Sequence, residues 1–334
     1  MMNAVPKLNY PVPVTILTGF LGAGKTTLLN RILTEYHGKR IAVIENEFGE
    51  TGIDNELLLQ TDEQIVEMNN GCICCTVRGD LMRILGELSE RRENGEAGFE
   101  RVIIETTGLA DPAPVAQTFF VDQDIAEYYQ LDAVITVVDA VHAHQQLADH
   151  HEAQEQVGFA DRILLSKTDL AEPEIIADLE SRLRAMNPRA PIKRVHFGET
   201  ELQDILDIGG FNLEDILKIE PDFLQDVSHE HDDDISSMVY RSKQPLDSAR
   251  FMHFLDIIVG AFGKDLLRYK GILNLADNHN KILFQGVHML MGDSQGLPWT
   301  EKEERETQLV FIGRNLPKQQ ILKALMACHI DADV

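Results

Sequence analysis

The chain has 334 residues and a formal net charge of −25, from 55 acidic and 30 basic residues. That length gives room for two domains with sizeable cores, and the acidic balance opposes non-specific adhesion to nucleic acid or anionic membrane. Four cysteines are too few for a disulfide framework. No apolar stretch approaches the roughly 20 residues of a membrane span, and the N-terminus lacks a basic, then apolar, then small-residue leader pattern, so the expected location is the cytoplasm.

The first apolar run, residues 12–17, leads into Gly19-Phe20-Leu21-Gly22-Ala23-Gly24-Lys25-Thr26-Thr27. This fits G-x-x-x-x-G-K-[ST] between a strand and a helical pattern, which is the setting in which that motif binds a nucleoside triphosphate. Gly19, Gly22 and Gly24 let the backbone curl so that successive N–H groups face phosphate oxygens. Lys25 supplies positive charge to the β and γ phosphates, the Thr26 hydroxyl suits Mg²⁺, and Thr27 follows in the first turn of the helix expected to about Tyr36. The positive end of that helix adds to the anion site.

A second run at residues 41–44 continues into Glu45-Asn46-Glu47-Phe48-Gly49-Glu50, where the first nucleotide-sensing switch is expected. After Asn70-Gly71, a pair that permits a turn, come Cys72, Cys74 and Cys75. Thiolates are soft ligands suited to Zn²⁺, Cu⁺ or iron–sulfur centres. In extended geometry Cys72 and Cys74 share a face and Cys75 points away, so a further ligand must come from elsewhere, with Glu45 and Glu50 the nearest candidates. The competing reading is three reduced thiols with a packing or redox role.

Next, Val102-Ile103-Ile104-Glu105-Thr106-Thr107-Gly108 is an apolar strand ending in a carboxylate, with glycine three residues later. Glu105 is placed to act on Mg²⁺ through water, and the Gly108 N–H to approach the γ-phosphate. Apolar runs follow at residues 133–138 and 163–165, the latter entering Ser166-Lys167-Thr168-Asp169. Lys167 would lie along the base, and Asp169 would accept from the N1–H and exocyclic amine of guanine, a donor pair adenine lacks. The nucleotide is therefore read as GTP. Ser166 stands where asparagine is commoner, leaving one loop-bracing contact in question.

Several runs are continuous rather than alternating, as strands covered on both faces require. The fold class is α/β: a doubly wound, mostly parallel P-loop sheet over residues 1–220, an acidic linker at 221–234, and a smaller α+β domain at 235–334. Strands are expected near 235–240, 267–275, 282–287 and 308–312, and helices near 248–261 and 318–328. Cys328 reads as a buried structural thiol. His142, His144, His150 and His151 crowd one segment and His229 and His231 sit in the linker; their spacing forms no recognised closed metal site, so His150 and His151 read as ordinary surface residues, while for His142, His229 and His231 transient metal binding and a surface role both stand open.

Together GFLGAGKTT, ENEFGE, NGCICC, VIIETTG, SKTD, LLRYKG and ILFQGV resemble, in order and over nearly the whole chain, the CobW-like family of P-loop GTPases, in particular its YjiA-like branch. The resemblance implies metal-linked GTP hydrolysis, a metallochaperone role in zinc or cobalt handling with a client metalloprotein, and kinship to nickel-delivering GTPases that dimerise around nucleotide. It also implies Glu45, Glu50, Cys74 and Cys75 as metal ligands and a CobW C-terminal domain from Ile235. Zn²⁺ is the first choice of ion, with Co²⁺ or Ni²⁺ as alternatives, because it is redox-inert and tolerates mixed ligands. The chain lacks the long histidine tract of many relatives, having only HEHDDD at 229–234. The alternatives are a regulatory GTPase with a thiol redox sensor and a nucleotide-dependent scaffold.

Overall fold

The computed structural model describes residues 11–34, 40–45, 64–67, 75–201, 204–210, 234–300 and 303–330, excluding the side chains of 64–67, 75–78 and 294. Contacts divide the chain into one unit of Met1–Glu180 with Ala190–Ile208 and another of Ser181–Arg189 with Gly209–Val334. The first runs β1 (Val12–Gly19), α1 (Lys25–Thr34), β2 (Ile41–Glu45), β3 (Gln64–Glu67), α2 (Cys75–Glu93), β4 (Arg101–Glu105), α3 (Ala113–Val121), α4 (Gln123–Tyr128), β5 (Tyr129–Asp139), α5 (Ala143–Asp149), α6 (His151–Phe159), β6 (Arg162–Ser166), α7 (Pro173–Met186) and β7 (Ile192–Arg194), with α7 passing into the second unit at Ser181.

The seven strands lie in the order β3-β2-β4-β1-β5-β6-β7, and every pairing is parallel. Helices cover both faces. Ile135 and Val137 of β5 share a core with Leu28, Leu29, Ile32 and Leu33 of α1, a spacing that puts all four leucine and isoleucine side chains on one side of the helix. Thr136 between them turns the other way and donates to the Gln156 carbonyl of α6 at 2.6 Å. This double covering explains why the runs read as continuous. β1 is followed toward β2 on one side and β4 toward β5 on the other, so a crevice opens at the carboxyl ends of the central strands.

β3 and β7 were not anticipated. β7 is three residues, Ile192-Lys193-Arg194, and barely buried; β3 is four. Such short segments show no period, and pairing with a longer neighbour defines them.

The second unit continues with β8 (Ile235–Ser242), α8 (Ser248–Phe262), β9 (Leu266–Leu273), β10 (Asn280–Val287), β11 (Leu290–Pro298), β12 (Thr307–Arg314) and α9 (Lys318–Met326). Its sheet has the order β11-β10-β9-β12-β8 and every pairing is antiparallel. The Asp247 carboxylate caps α8 by accepting from the Arg250 N–H at 2.8 Å. Phe251, Phe254, Leu255 and Ile258 of α8 and Ile321 and Leu325 of α9 bury against Tyr240, Tyr269, Phe284 and Phe311 of the sheet. β11 escaped sequence reading because Gly292, Asp293 and Gly296 mimic a loop, and an edge strand needs little apolar content. Cys328 is buried, and burial raises its thiol pKa above the ordinary value.

Candidate functional site

The phosphate loop hangs from the end of β1. Gly19, Gly22 and Gly24 all have positive φ, at 137°, 74° and 103°. At Gly19 even space is denied to a side chain, since a Cβ would run into the Val137 carbonyl. Lys25 opens α1 and is buried; its Nζ folds back and donates to the Gly19 carbonyl at 2.8 Å and the Phe20 carbonyl at 3.4 Å. Thr27, next to Thr26, is exposed.

β4 brings its terminal carboxylate to the same place. The Thr26 hydroxyl donates to Glu105 Oε1 at 3.3 Å, which assembles a hydroxyl and a carboxylate, the hard oxygen donors Mg²⁺ prefers. The donor set fits that ion. Beyond Glu105, the Thr106 hydroxyl donates to Thr18 Oγ1 at 2.8 Å, and Gly108 lies so close to the Leu21 backbone that a Cβ would clash. The loop carrying Gly108 is also held from α6: Gln156 Nε2 donates to the Gly108 carbonyl at 3.2 Å and the Ala110 carbonyl at 3.0 Å. Sequence reading missed Gln156, which carries no motif.

At the end of β6 the Ser166 hydroxyl donates to the Ala23 carbonyl of the phosphate loop at 2.7 Å and is also 3.2 Å from the Val138 carbonyl. The brace questioned from sequence is thus made by serine. Lys167 adopts the left-handed conformation, φ 55°, and its Nζ donates to the Gly22 carbonyl at 2.7 Å and to Asp139 Oδ2 at 2.8 Å. Asp139 ends β5 and is almost wholly buried. Burial alone would raise its pKa, and is the largest single influence; donation from Lys167, His142 and the Val141 N–H outweighs it and holds the carboxyl below its ordinary range. Asp169 pairs with His196 Nδ1 at 3.3 Å, and the neighbouring Phe197 has positive φ and is exposed. Gly198 packs against the start of α1 at Leu28.

Of the proposed transition-metal ligands, Glu45 is the last residue of β2 and buried. Its Cα is in register with Glu105 of β4 on one side and Glu67 of β3 on the other. Glu50, Cys72 and Cys74 lie outside the described residues, as do His229 and His231; Cys75 is the first residue of α2, without a described side chain. Among the described residues no group of three or more His, Cys, Asp or Glu could hold a metal. The histidines after β5 are dispersed: His142 Nδ1 is 2.9 Å from Asp139 Oδ2, His144 is 3.5 Å from Asp178, and the His150 ring lies 4.7 Å from that of Phe20. His151 begins α6.

A glycine-rich loop with a buried lysine, a hydroxyl–carboxylate pair and a Lys-x-Asp loop, all at the carboxyl edge of a doubly wound parallel sheet, define a P-loop nucleotide-binding protein. Residues 13–194 match the CobW/HypB/UreG nucleotide-binding domain, and residues 235–329 the cobalamin synthesis protein CobW C-terminal domain. The chain belongs to this family. It is 43% identical to the zinc chaperone YjiA of Escherichia coli over 94% of this chain and 98% of that one. It is also 33% identical to the zinc chaperone CobW of Sinorhizobium sp, covering 90% and 92%. The crystal structure of the Zn(II)-bound YjiA GTPase from E. coli superposes with a TM-score of 0.80 at 37% identity, over 96% of this chain and 99% of the other.

Proposed function

We propose that this chain is a GTPase that couples its nucleotide state to the binding and transfer of zinc to a client metalloprotein. The observation that carries the reading is the convergence of the phosphate loop, Glu105 and the Ser166–Asp169 loop on one end of one sheet. On this reading the N–H groups of Gly19, Gly22, Gly24, Lys25, Thr26 and Thr27 surround the phosphates, and Lys25 moves from the loop carbonyls to the β and γ oxygens. Thr26 would hold Mg²⁺ directly and Glu105 through water. The ion would supply neutralisation of charge developing on the phosphates as water attacks the γ-phosphorus and GDP leaves, the phosphoryl group departing as phosphate. Gly108 offers its N–H to the γ-phosphate, Lys167 flanks the base, and Asp169 accepts from guanine. His196 releases Asp169 when the base enters.

Zinc is cargo rather than resident cofactor, taken by Cys72, Cys74 and Cys75 with Glu45 and Glu50. The zinc chaperones among the relatives support that choice. The coupling rests on a single rung of the sheet. Glu45 and Glu105 are register partners on adjacent strands, roughly 4.8 Å apart in backbone, so a cation drawn to one changes the field at the other. Loss or gain of the γ-phosphate shifts the loops that follow both strands.

Leu21, Leu109 and Leu170, on the loops that bear the nucleotide motifs, and Phe197, beside the His196 that meets Asp169, are exposed, an apolar rim that suits a second copy of the chain docking across bound GTP. No helix among the described residues is long and apolar enough to cross a membrane, which is compatible with a cytoplasmic role. The deciding experiment titrates Zn²⁺ into the reduced protein loaded with GDP or with a non-hydrolysable GTP analogue. Distinct affinities support the coupling; equal affinities remove it.

A further inference from the structure

We propose that Asp139 is a positioning residue for nucleotide binding, acting through Lys167. Nothing in the motif set includes it, and it lies outside the Lys-x-Asp loop by 27 residues of chain at its nearest motif member, Ser166. The inference rests on the reading of Lys167 as the residue that flanks the base.

The geometry is specific. Asp139 is 1% exposed, and a carboxylate so deeply placed persists only when its oxygens are satisfied. Oδ1 accepts from the Val141 N–H at 2.9 Å, which fixes the plane of the carboxylate. Oδ2 then faces two donors, Lys167 Nζ at 2.8 Å and His142 Nδ1 at 2.9 Å. Lys167 is half-exposed and flexible by nature, yet its ammonium is fixed at both ends of its reach: Asp139 at the end of β5 and the Gly22 carbonyl in the phosphate loop. The left-handed backbone at Lys167 is a strained choice for a residue with a Cβ, and such strain persists where surrounding contacts over-determine it. Without the carboxylate the ammonium keeps one neutral acceptor, and its long stem regains rotamer freedom that must be given up again when nucleotide binds.

Asp139 touches neither phosphate nor base edge on this reading, so its influence should be blind to the base and should vanish when Lys167 is absent. Asp139→Asn preserves shape and removes charge. In the full-length protein with Mg²⁺, this variant should bind GTP about tenfold more weakly, the scale of a lost charge-assisted hydrogen bond. The loss should appear in KM, with kcat at saturating GTP moving by less. Xanthosine and inosine triphosphates should weaken by the same factor, whereas an Asp169 variant changes base preference. The sharpest readout is a double-mutant cycle with Lys167→Met. Asp139→Asn combined with Lys167→Met should bind GTP no more weakly than Lys167→Met alone. Additive losses overturn the proposal, as does an Asp139→Asn protein with lowered melting temperature and unchanged GTP affinity, which would make Asp139 structural only. If Lys167→Met leaves affinity unchanged, the base-flanking reading falls first and the inference with it. Asp139→Glu, which keeps the charge, serves as control should the asparagine variant fold poorly; a return toward wild-type affinity supports the proposal.

Discussion

The ammonium of Lys25, buried against two carbonyls of its own loop, is already where anionic oxygens would replace them. Lys25→Ala should therefore lower GTP turnover on the order of 10²-fold, the usual cost of removing one pre-placed charge donor from a transition state; a malachite-green phosphate assay checks it. Asp169→Asn should weaken GTP and favour xanthosine triphosphate, whose 2-position carries an acceptor where guanine has a donor, shifting their relative affinities roughly 100-fold. Competition binding with both nucleotides reads this out, and tight ATP binding by the unmodified protein would contradict the guanine assignment. Asp139 adds a pH signature. Its folded-state pKa is depressed, so its stabilisation is present above the ordinary carboxylate pKa and is lost as pH falls through the folded value. The melting-temperature gap between wild type and Asp139→Asn should accordingly be wide at neutral pH and close in acid. The roles proposed for Lys25, Thr26, Glu105, Lys167 and Asp169 come from the sequence because motif chemistry demands those residue types at fixed offsets from strands. Those of Asp139, Gln156 and His196 do not, because what they do depends on neighbours brought from 28, 46 to 48, and 27 positions away, distances no local pattern encodes.

At the scale of elements, β1 and β5 approach so closely at Gly19 that the phosphate loop depends on the missing side chain. Gly19→Ala should cost about 3 kcal/mol through clash and backbone strain, seen as a lower urea midpoint together with weakened nucleotide binding. Central strands were readable because burial on both faces favours a continuous apolar run, as in β2, β4 and β6, and because β1 and β5 are broken only by the small threonines Thr15 and Thr136 within their apolar stretches. β3, β7 and β11 were not, since an edge position relaxes the compositional demand. In the second unit, LLRYKG and ILFQGV gain a physical meaning. Gly271 sits hard against the β12 backbone, and Gly286 lies under the Tyr269 ring, which occupies the space of its absent side chain. The aromatic cluster there is dense: Phe254 meets Phe311 edge-on at 6.4 Å and Tyr269 lies 5.4 Å from Phe284. Phe311→Ala should cost about 3–5 kcal/mol, measurable by chemical denaturation.

For the whole molecule, the coupling between nucleotide and zinc is subject to thermodynamic reciprocity. If the GTP analogue tightens Zn²⁺ about tenfold, Zn²⁺ must tighten the analogue by the same factor, and calorimetric titrations in both orders should agree. Replacing Cys74 and Cys75 by serine should weaken zinc while leaving GTP affinity largely intact, because neither residue belongs to the phosphate or base elements. Zinc affinity should fall as pH drops, as protons compete for thiolates. Metal content of the double-serine variant against wild type, by plasma emission spectroscopy, settles whether the cysteines carry the cargo.

The two strands that close the seven-stranded sheet of the first unit bear on whether that sheet can grow at its edges. β3 and β7, at the two edges, are four and three residues long, in a sheet whose interior strand β5 has eleven. Such stubby margins offer few unpaired backbone groups as a template for a neighbouring chain. Lateral polymerisation through this sheet is thereby discouraged, and the crevice at the carboxyl ends of its strands stays clear of strand-to-strand growth.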